Sequence, residues 1–226
     1  MPTTWISLQR HRREALLWSH SCSAPGAVQT SLSGTSAQSQ SSTVAQTSQN
    51  PSIVTTGTVS YISNYAAFPL LNQDDLSLHV SSDWANTVDK TNNLNQTRAQ
   101  EACLAVVYPI IERSTGNTGY TIGDKQWTDA DGAIKPTNLT VTTVSQGISY
   151  SAIKAQIDSG SPMILGGQGT TEGHFVLAIG YDDASKAIIV IDPFTGQRVS
   201  MSSTTWKEDG GAGSKYTFGQ MRTVAY

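Results

Sequence analysis

The chain has 226 residues, with 14 Lys and Arg against 17 Asp and Glu, and a formal net charge of −3. A near-neutral protein lacks the field that basic proteins use on nucleic acid or anionic membranes, so neither is expected as its main partner. Charged residues make up only 14% of the chain. The Ser, Thr, Gln, Asn and Gly that replace them are typical of secreted proteins, so we expect an extracellular or cell-envelope location.

The N-terminal part of the chain differs sharply in composition from the rest. No Asp, Glu, Lys or Arg occurs from Ala15 to Gln73, and residues 31–52 are almost purely Ser, Thr, Gln, Ala and Gly. Such a segment buries too little apolar surface to offset chain entropy. We predict a flexible leader and linker over residues 1–64, with an edge strand starting near its end, and one globular domain over residues 65–226.

Targeting signals are weak. Arg10, Arg12 and Arg13 precede an apolar run that is too short for a secretory signal, and an Arg-rich targeting peptide is the alternative. No run approaches the roughly 18 apolar residues of a membrane span. No phosphate-binding loop or zinc spacing of Cys and His is present, so we expect no cofactor and no metal, and a monomer.

One helix stands out in the globular part. Thr97 and Gln100 have the spacing of a capping box, and residues 102–108 are apolar on every side. The pattern predicts a buried helix beginning after Thr97 that Pro109 ends or kinks.

A second helix and a series of strands follow. Ser149 is placed to cap a helix over residues 150–157, and Gly160 to end it. Later segments have strand patterns, which together with the helices predict an α+β domain with an antiparallel sheet. These segments are residues 163–165, 174–181, 187–191, 197–201 and 216–224.

The strand patterns bring a histidine and an aspartate together. A hairpin centred near Asp183 pairs His174 with Asp192, and opposed side chains lie about 5 Å apart across such a ladder. A carboxylate at that distance can fix the tautomer of an imidazole. The glycines of the preceding loop, residues 166–173, leave space for an extended ligand.

The candidate nucleophile is Cys103, on the first predicted helix. A thiol at a helix N-terminus is activated by the dipole, and the order Cys, His, polar partner is that of papain-like enzymes. The other cysteine, Cys22, lies in the predicted leader, and the two could instead form one disulfide.

The segment SPMILGGQGTTEGHFVLAIGYDDASKAIIVIDPFTG resembles the His-to-Asp region of the double-glycine-peptidase-like branch of papain-like cysteine peptidases. The shared features are Gly173-His174, Gly180-Tyr181-Asp182 and Asp192-Pro193. The resemblance covers residues 68–224. It implies a papain-like fold with a buried N-terminal helix on an antiparallel sheet, and Gln73 in PLLNQDD as an oxyanion-hole donor.

The cysteine half departs from the family pattern, and three alignments compete. The first makes Cys103 the nucleophile. Alignment on the Ala-Cys-Leu that follows puts Ala99 at that position, and a Cys-Trp-Ala alignment puts Asp83 there. The last two leave a domain without a nucleophile.

Three functions follow from these alternatives. The first is a cysteine peptidase that hydrolyses peptide or protein substrates through Cys103, His174, Asp192 and Gln73. The second is an inactive papain-like domain that binds peptides. The third is a stalked surface protein in which the linker carries the function.

Overall fold

The computed structural model describes residues 53–89, 96–118, 121–122, 139–170, 172–209 and 212–225. Residues 1–52 of the leader and linker predicted over residues 1–64 lie outside the described residues. Three α-helices lie within the described part: α1 (Ser82–Ala85), α2 (Cys103–Ser114) and α3 (Tyr150–Asp158). The strands there are β1 (Ile53–Thr56), β2 (Val59–Ile62), β3 (Val88–Asp89), β4 (Gln96–Thr97), β5 (Thr140–Val144), β6 (Met163–Gln168), β7 (Gly173–Asp182), β8 (Ala187–Asp192), β9 (Gln197–Ser202), β10 (Lys207–Glu208) and β11 (Thr217–Ala225).

Within the described ranges, nine strands form one antiparallel sheet in the order β10-β9-β8-β7-β6-β11-β5. Strand β2 pairs with the C-terminal end of β7, and β1 pairs with β2. Strands β3 and β4 form a separate ribbon. The central strand β7 is buried from end to end except at its last residue, so both faces of the sheet are covered there. An antiparallel sheet with few helices is an α+β arrangement, as the strand pattern predicts.

The sheet begins earlier in the chain than the composition suggests. Strands β1 and β2 precede residue 65, the predicted start of the domain, and Tyr61 pairs with Gly180 in β7. These two strands lie in the segment where the sequence predicts an edge strand, and they pair with the same sheet as β7. Their side chains alternate between more and less buried positions, which is the period expected of strands lying on a core.

Helix α2 is buried, but it begins and ends differently from the prediction. The reciprocal bonds of the capping box are present: Gln100 N donates to Thr97 Oγ1 (3.3 Å) and Thr97 N donates to Gln100 Oε1 (3.0 Å). They close a turn ahead of the helix, which starts at Cys103. Pro109 does not end the helix. Its ring removes one backbone donor, while the buried contacts around it hold the helix together as far as Ser114.

Helix α3 agrees closely with its predicted signals. Ser149 Oγ accepts from Ala152 N (3.1 Å), and Gly160 adopts the left-handed conformation that follows the last turn. Ile153 and Ile157 are fully buried on one face and the helix contacts β7, β2 and β6. No helix in the described part of the chain is long and apolar enough to cross a membrane.

Candidate active site

A histidine and an aspartate form a buried pair at the end of the central hairpin. His174 Nε2 lies 2.7 Å from Asp192 Oδ1, and both side chains are fully buried. Phe194 N also donates to Asp192 Oδ1 (2.8 Å), and Thr195 Oγ1 donates to Oδ2 (3.3 Å). The hydrogen bond predicted between the two side chains is present, and it leaves Nδ1 as the ring nitrogen that could exchange a proton with a reacting group.

The pair forms through a different register from the predicted one. Near the turn, Gly180 pairs with Ile189, and that register would place Asp192 opposite Leu177, on the face away from His174. A β-bulge at Ile179 shifts the ladder by one residue, so that Ala178 pairs with Val190. Asp192 then lies diagonally across from His174 on the same face, which is within reach of a long side chain.

Aromatic rings enclose the imidazole. Tyr216 stacks on His174 with ring centroids 4.8 Å apart and an interplanar angle of 28°. Phe218 and Phe194 contact the ring edge-on, at 6.3 Å and 6.4 Å. These rings keep bulk water away from the pair, which strengthens its hydrogen bond.

The glycines before His174 make room for those rings. A Cβ at Gly167 would lie 2.9 Å from the Phe218 ring, and one at Gly169 would lie 3.2 Å from the Tyr216 ring. Gly167 is also the cross-strand partner of His174. The expectation that the glycine loop leaves space for an extended ligand is therefore wrong at these positions, because aromatic side chains of the protein fill the space.

Burial and charge oppose each other at Asp192. Burial, the largest influence, raises the pKa of the Asp192 carboxyl, but the His174 charge and the bonds from His174, Phe194 N and Thr195 outweigh it. The net effect is a pKa below the ordinary value. The carboxylate is therefore ionised at neutral pH and can stabilise a positive charge on the imidazole.

Gln73 joins the sheet side of the site to the segment before α2. Its side chain is fully buried, its backbone N donates to Pro193 O (2.7 Å) and its Nε2 donates to Gln100 O (2.6 Å). One residue thus fixes the loop after Asp192 against the turn that precedes Cys103. The role of Gln73 as an oxyanion-hole donor stays a prediction.

Cys103 lies at the helix N-terminus and is disulfide-bonded. It is the first residue of α2, and only 4% of it is exposed. His174 Nδ1 is buried without a hydrogen-bond partner among the described residues. The structure therefore pairs His174 with Asp192, bonds Gln73 to the loop after Asp192, and holds Cys103 as a disulfide sulfur rather than as a thiol.

The two competing nucleophile positions lie in different surroundings. Ala99 is buried in the turn before α2, with its N bonded to Ala85 O (3.0 Å), one residue from the Gln100 carbonyl that Gln73 contacts. Asp83 is exposed in the first turn of α1, where Ser81 caps the helix. Asp83 is therefore the poorer match to a site position.

Glu208 was missed by the sequence analysis. It is 4% exposed, and one carboxylate oxygen lies close enough to ligand atoms of His174 and Asp192 that the three atoms are within 4.8 Å of one another. Burial and, second, the charge of Asp192 raise the pKa of Glu208 to about 8. Its segment, Lys-Glu-Asp-Gly-Gly, reads as a solvated turn, so no local pattern could have identified it.

A second buried acid, Glu172, ties the same region to the segment before α2. Its carboxylate accepts from Tyr216 Oη (3.1 Å) and Gln96 Nε2 (3.3 Å), and forms an ion pair with Lys215. Tyr216 is the ring stacked on His174. The ion pair therefore fixes one wall of the site.

Comparison with known proteins identifies the family of the chain. The model of the Peptidase_C39 like family matches residues 9–214, which include Gln73, Cys103, His174, Asp192 and Glu208 and extend into the predicted leader. A search of curated proteins finds no match to the chain. Because the match covers most of the sequence, the chain belongs to the Peptidase_C39-like family and contains a cysteine peptidase-like domain.

Proposed function

We propose that this domain has a papain-like fold and hydrolyses peptide bonds as a cysteine peptidase once Cys103 is reduced. The observation that carries the proposal is the buried pair of His174 and Asp192, bonded through Nε2 at 2.7 Å with Nδ1 left to a reacting group. Family membership supports the same chemistry.

Each group then has a defined task. His174 Nδ1 takes the proton from the Cys103 thiol, and the thiolate attacks the peptide carbonyl to form a carbon–sulfur bond. Gln73 donates to the oxygen that becomes negative. The imidazolium, stabilised by Asp192, gives its proton to the leaving amine, and water then hydrolyses the thioester with His174 as base.

The disulfide makes this activity dependent on reduction. A thiolate is the nucleophile in such enzymes, and a sulfur already bonded to sulfur has no proton to transfer. Reduction frees Cys103 at the N-terminus of α2, where the helix dipole lowers the pKa of a thiol. A disulfide also fits the extracellular or envelope location that we propose.

Two observations on Cys103 and the turn before it favour a second function. Cys103 is disulfide-bonded, and the Gln73 amide donates to Gln100 O. Both are expected of an inactive domain that keeps the cleft, binds a peptide and has Ala99 at the nucleophile position. In that case the disulfide is structural.

Reduction and cysteine variants separate the two. The full chain is incubated with a mixed peptide library, with and without a phosphine reductant, and cleavage is followed by mass spectrometry. Cys22 is the only other cysteine in the sequence. Cys22→Ser is thus the matched control, because Cys103 then has no partner in the chain.

A peptidase cleaves peptides after reduction, Cys22→Ser cleaves without reductant, and Cys103→Ala cleaves under neither condition. Rapid alkylation of Cys103 by iodoacetamide should depend on His174. Retained cleavage in Cys103→Ala would overturn the mechanism. Absence of cleavage in reduced, folded protein that still binds library peptides would establish the binding function.

A further inference from the structure

Three buried side chains of the site, His174, Asp192 and Glu208, lie close together. His174, Asp192 and Glu208 are 0%, 0% and 4% exposed, and one potential ligand atom from each lies within 4.8 Å of the others. One of their polar atoms, Glu208 Oε1, is buried without a hydrogen-bond partner among the described residues. A buried polar atom without a partner is costly, so such a cluster favours an additional ligand.

We propose that these three side chains bind one divalent cation of the zinc class. Two carboxylates and an imidazole supply the nitrogen and oxygen donors that zinc takes, whereas calcium and magnesium prefer oxygen alone. Two acidic groups in a buried space are also better matched to a doubly charged ion than to a singly charged one. Three protein ligands leave a fourth coordination position open.

The geometry requires only local movement. Zinc–nitrogen and zinc–oxygen bonds of about 2.0–2.2 Å place neighbouring ligand atoms of a tetrahedral site roughly 3.3 Å apart. The three ligand atoms now lie at most 4.8 Å apart. Side-chain rotations that move these atoms by about 1–1.5 Å bring them to the separation that those bond lengths require. His174 and Asp192 are already at 2.7 Å and must separate slightly to admit the ion.

A glycine provides the space for the third ligand. A Cβ at Gly213 would lie only 1.6 Å from Glu208 Oε2, so the Glu208 carboxylate occupies the place of a side chain at that position. The adjacent backbone therefore holds Glu208 against the pair. The aromatic rings around His174 keep water from competing with the protein ligands.

Under the proposed function, a bound ion inhibits the peptidase. It takes both His174 and Asp192 as ligands, so the imidazole can no longer serve as a base and hydrolysis stops. Cation binding itself needs no catalytic activity. The two proposals can therefore fail separately.

The test uses the oxidised full chain without an affinity tag, and Co²⁺ as a spectroscopic probe. Cys103 is disulfide-bonded in that form, so thiolate ligands are excluded. We expect one equivalent of Co²⁺ to give the visible absorption of a four-coordinate site, and Zn²⁺ to displace it. Calorimetry with Zn²⁺ gives the affinity.

Glu208→Gln should weaken binding at least tenfold, because it removes one charged ligand while keeping the shape. The matched control is Glu112→Gln, a fully buried acid on α2 whose bond from Asn117 (2.6 Å) the amide oxygen can still accept. If Glu208→Gln does not fold, Asp192→Asn serves in its place. No binding at one equivalent, or equal binding by these variants, would overturn the site; hydrolysis assays play no part in that result.

Discussion

The two sides of the candidate site are built in different ways. On the sheet side, His174 and Asp192 are fixed by a ladder of strands, enclosed by aromatic rings and joined by a 2.7 Å hydrogen bond. On the helix side, Cys103 follows a turn held by single hydrogen bonds and is disulfide-bonded. The proposed base is thus preorganised, whereas the proposed nucleophile depends on the redox state of one sulfur.

A strand ladder and a helix terminus differ in how far solution conditions can change their chemistry. A rigid sheet holds an acid–base pair in one geometry whatever the surroundings. A cysteine at the start of a helix is exposed to the dipole and to oxidants, so its chemistry changes with conditions. Gln73 is the residue that contacts both sides, through Pro193 O and Gln100 O.

The largest expected effect comes from a substitution of Asp192, on the sheet side of the site. Asp192→Asn keeps the shape but removes the charge that orients and stabilises the imidazole. Hydrolysis by the reduced protein should fall by about 10²–10⁴-fold, the range for loss of acid–base function, with little change in KM. Kinetics on a peptide identified from the library measure it.

Circular dichroism before and after heating is the control for folding of Asp192→Asn. A folded variant that hydrolyses peptides at the parent rate would show that the pair is structural only.

The next effect comes from the residue that joins the two sides. Gln73→Ala should lower kcat by about 10²-fold, as for removal of one oxyanion donor. Gln73→Asn is the conservative comparison, since it keeps the amide but shortens its reach. Both variants should retain His174-dependent alkylation of reduced Cys103. Equal loss of alkylation and hydrolysis would mean instead that Gln73 shapes the whole site.

Filling the space beside the Glu208 carboxylate should lower the stability of the fold. Gly213→Ala forces a Cβ to within 1.6 Å of Glu208 Oε2, and we expect a loss of about 1–3 kcal/mol in the free energy of unfolding, typical of overpacking. Chemical denaturation measures it. Gly219→Ala is the control, since nothing lies within 4 Å of a Cβ there; equal destabilisation by both would contradict the tight fit at Gly213.

The smallest effect lies at the far end of the hairpin. Asp183 accepts from Lys154 Nζ (2.9 Å) and Tyr150 Oη (3.0 Å). The bond from Lys154 is the main cause of a lowered pKa, which burial opposes and the bonds from Tyr150 and Lys186 reinforce. Because the folded pKa is below the unfolded one, the stabilisation is present above the ordinary carboxyl pKa and is lost as pH falls through the folded value.

Asp183→Asn should therefore cost about 0.2–1 kcal/mol near neutral pH, the range for an exposed ion pair, and progressively less in acid. Thermal unfolding at several pH values measures the difference. Asp209→Asn, at an exposed aspartate with no ion pair in the described part of the chain, should show no such trend. A cost that does not shrink in acid would rule out the charge as its cause.

Local patterns predicted much of the fold. The cap at Ser149, the stop at Gly160 and the strands on either side of Asp183 are determined by neighbours in sequence, so short-range chemistry was enough to find them. The same holds for Thr97 and Gln100, whose reciprocal bonds exist although the helix begins later. Pro109 does not end the helix, which is one of the two effects predicted for it, because burial of α2 outweighs a missing backbone donor.

The strand patterns alone predict a hairpin between the strand that starts near His174 and the strand that ends at Asp192, whereas Gln73 was suggested only by the family resemblance. The remaining features depend on contacts between segments that are distant in sequence. The bulge at Ile179 sets which face Asp192 occupies, because one extra residue reverses the alternation of side chains along a strand. Only folding brings Glu208 to the pair, since those contacts join segments whose local sequences carry no sign of each other.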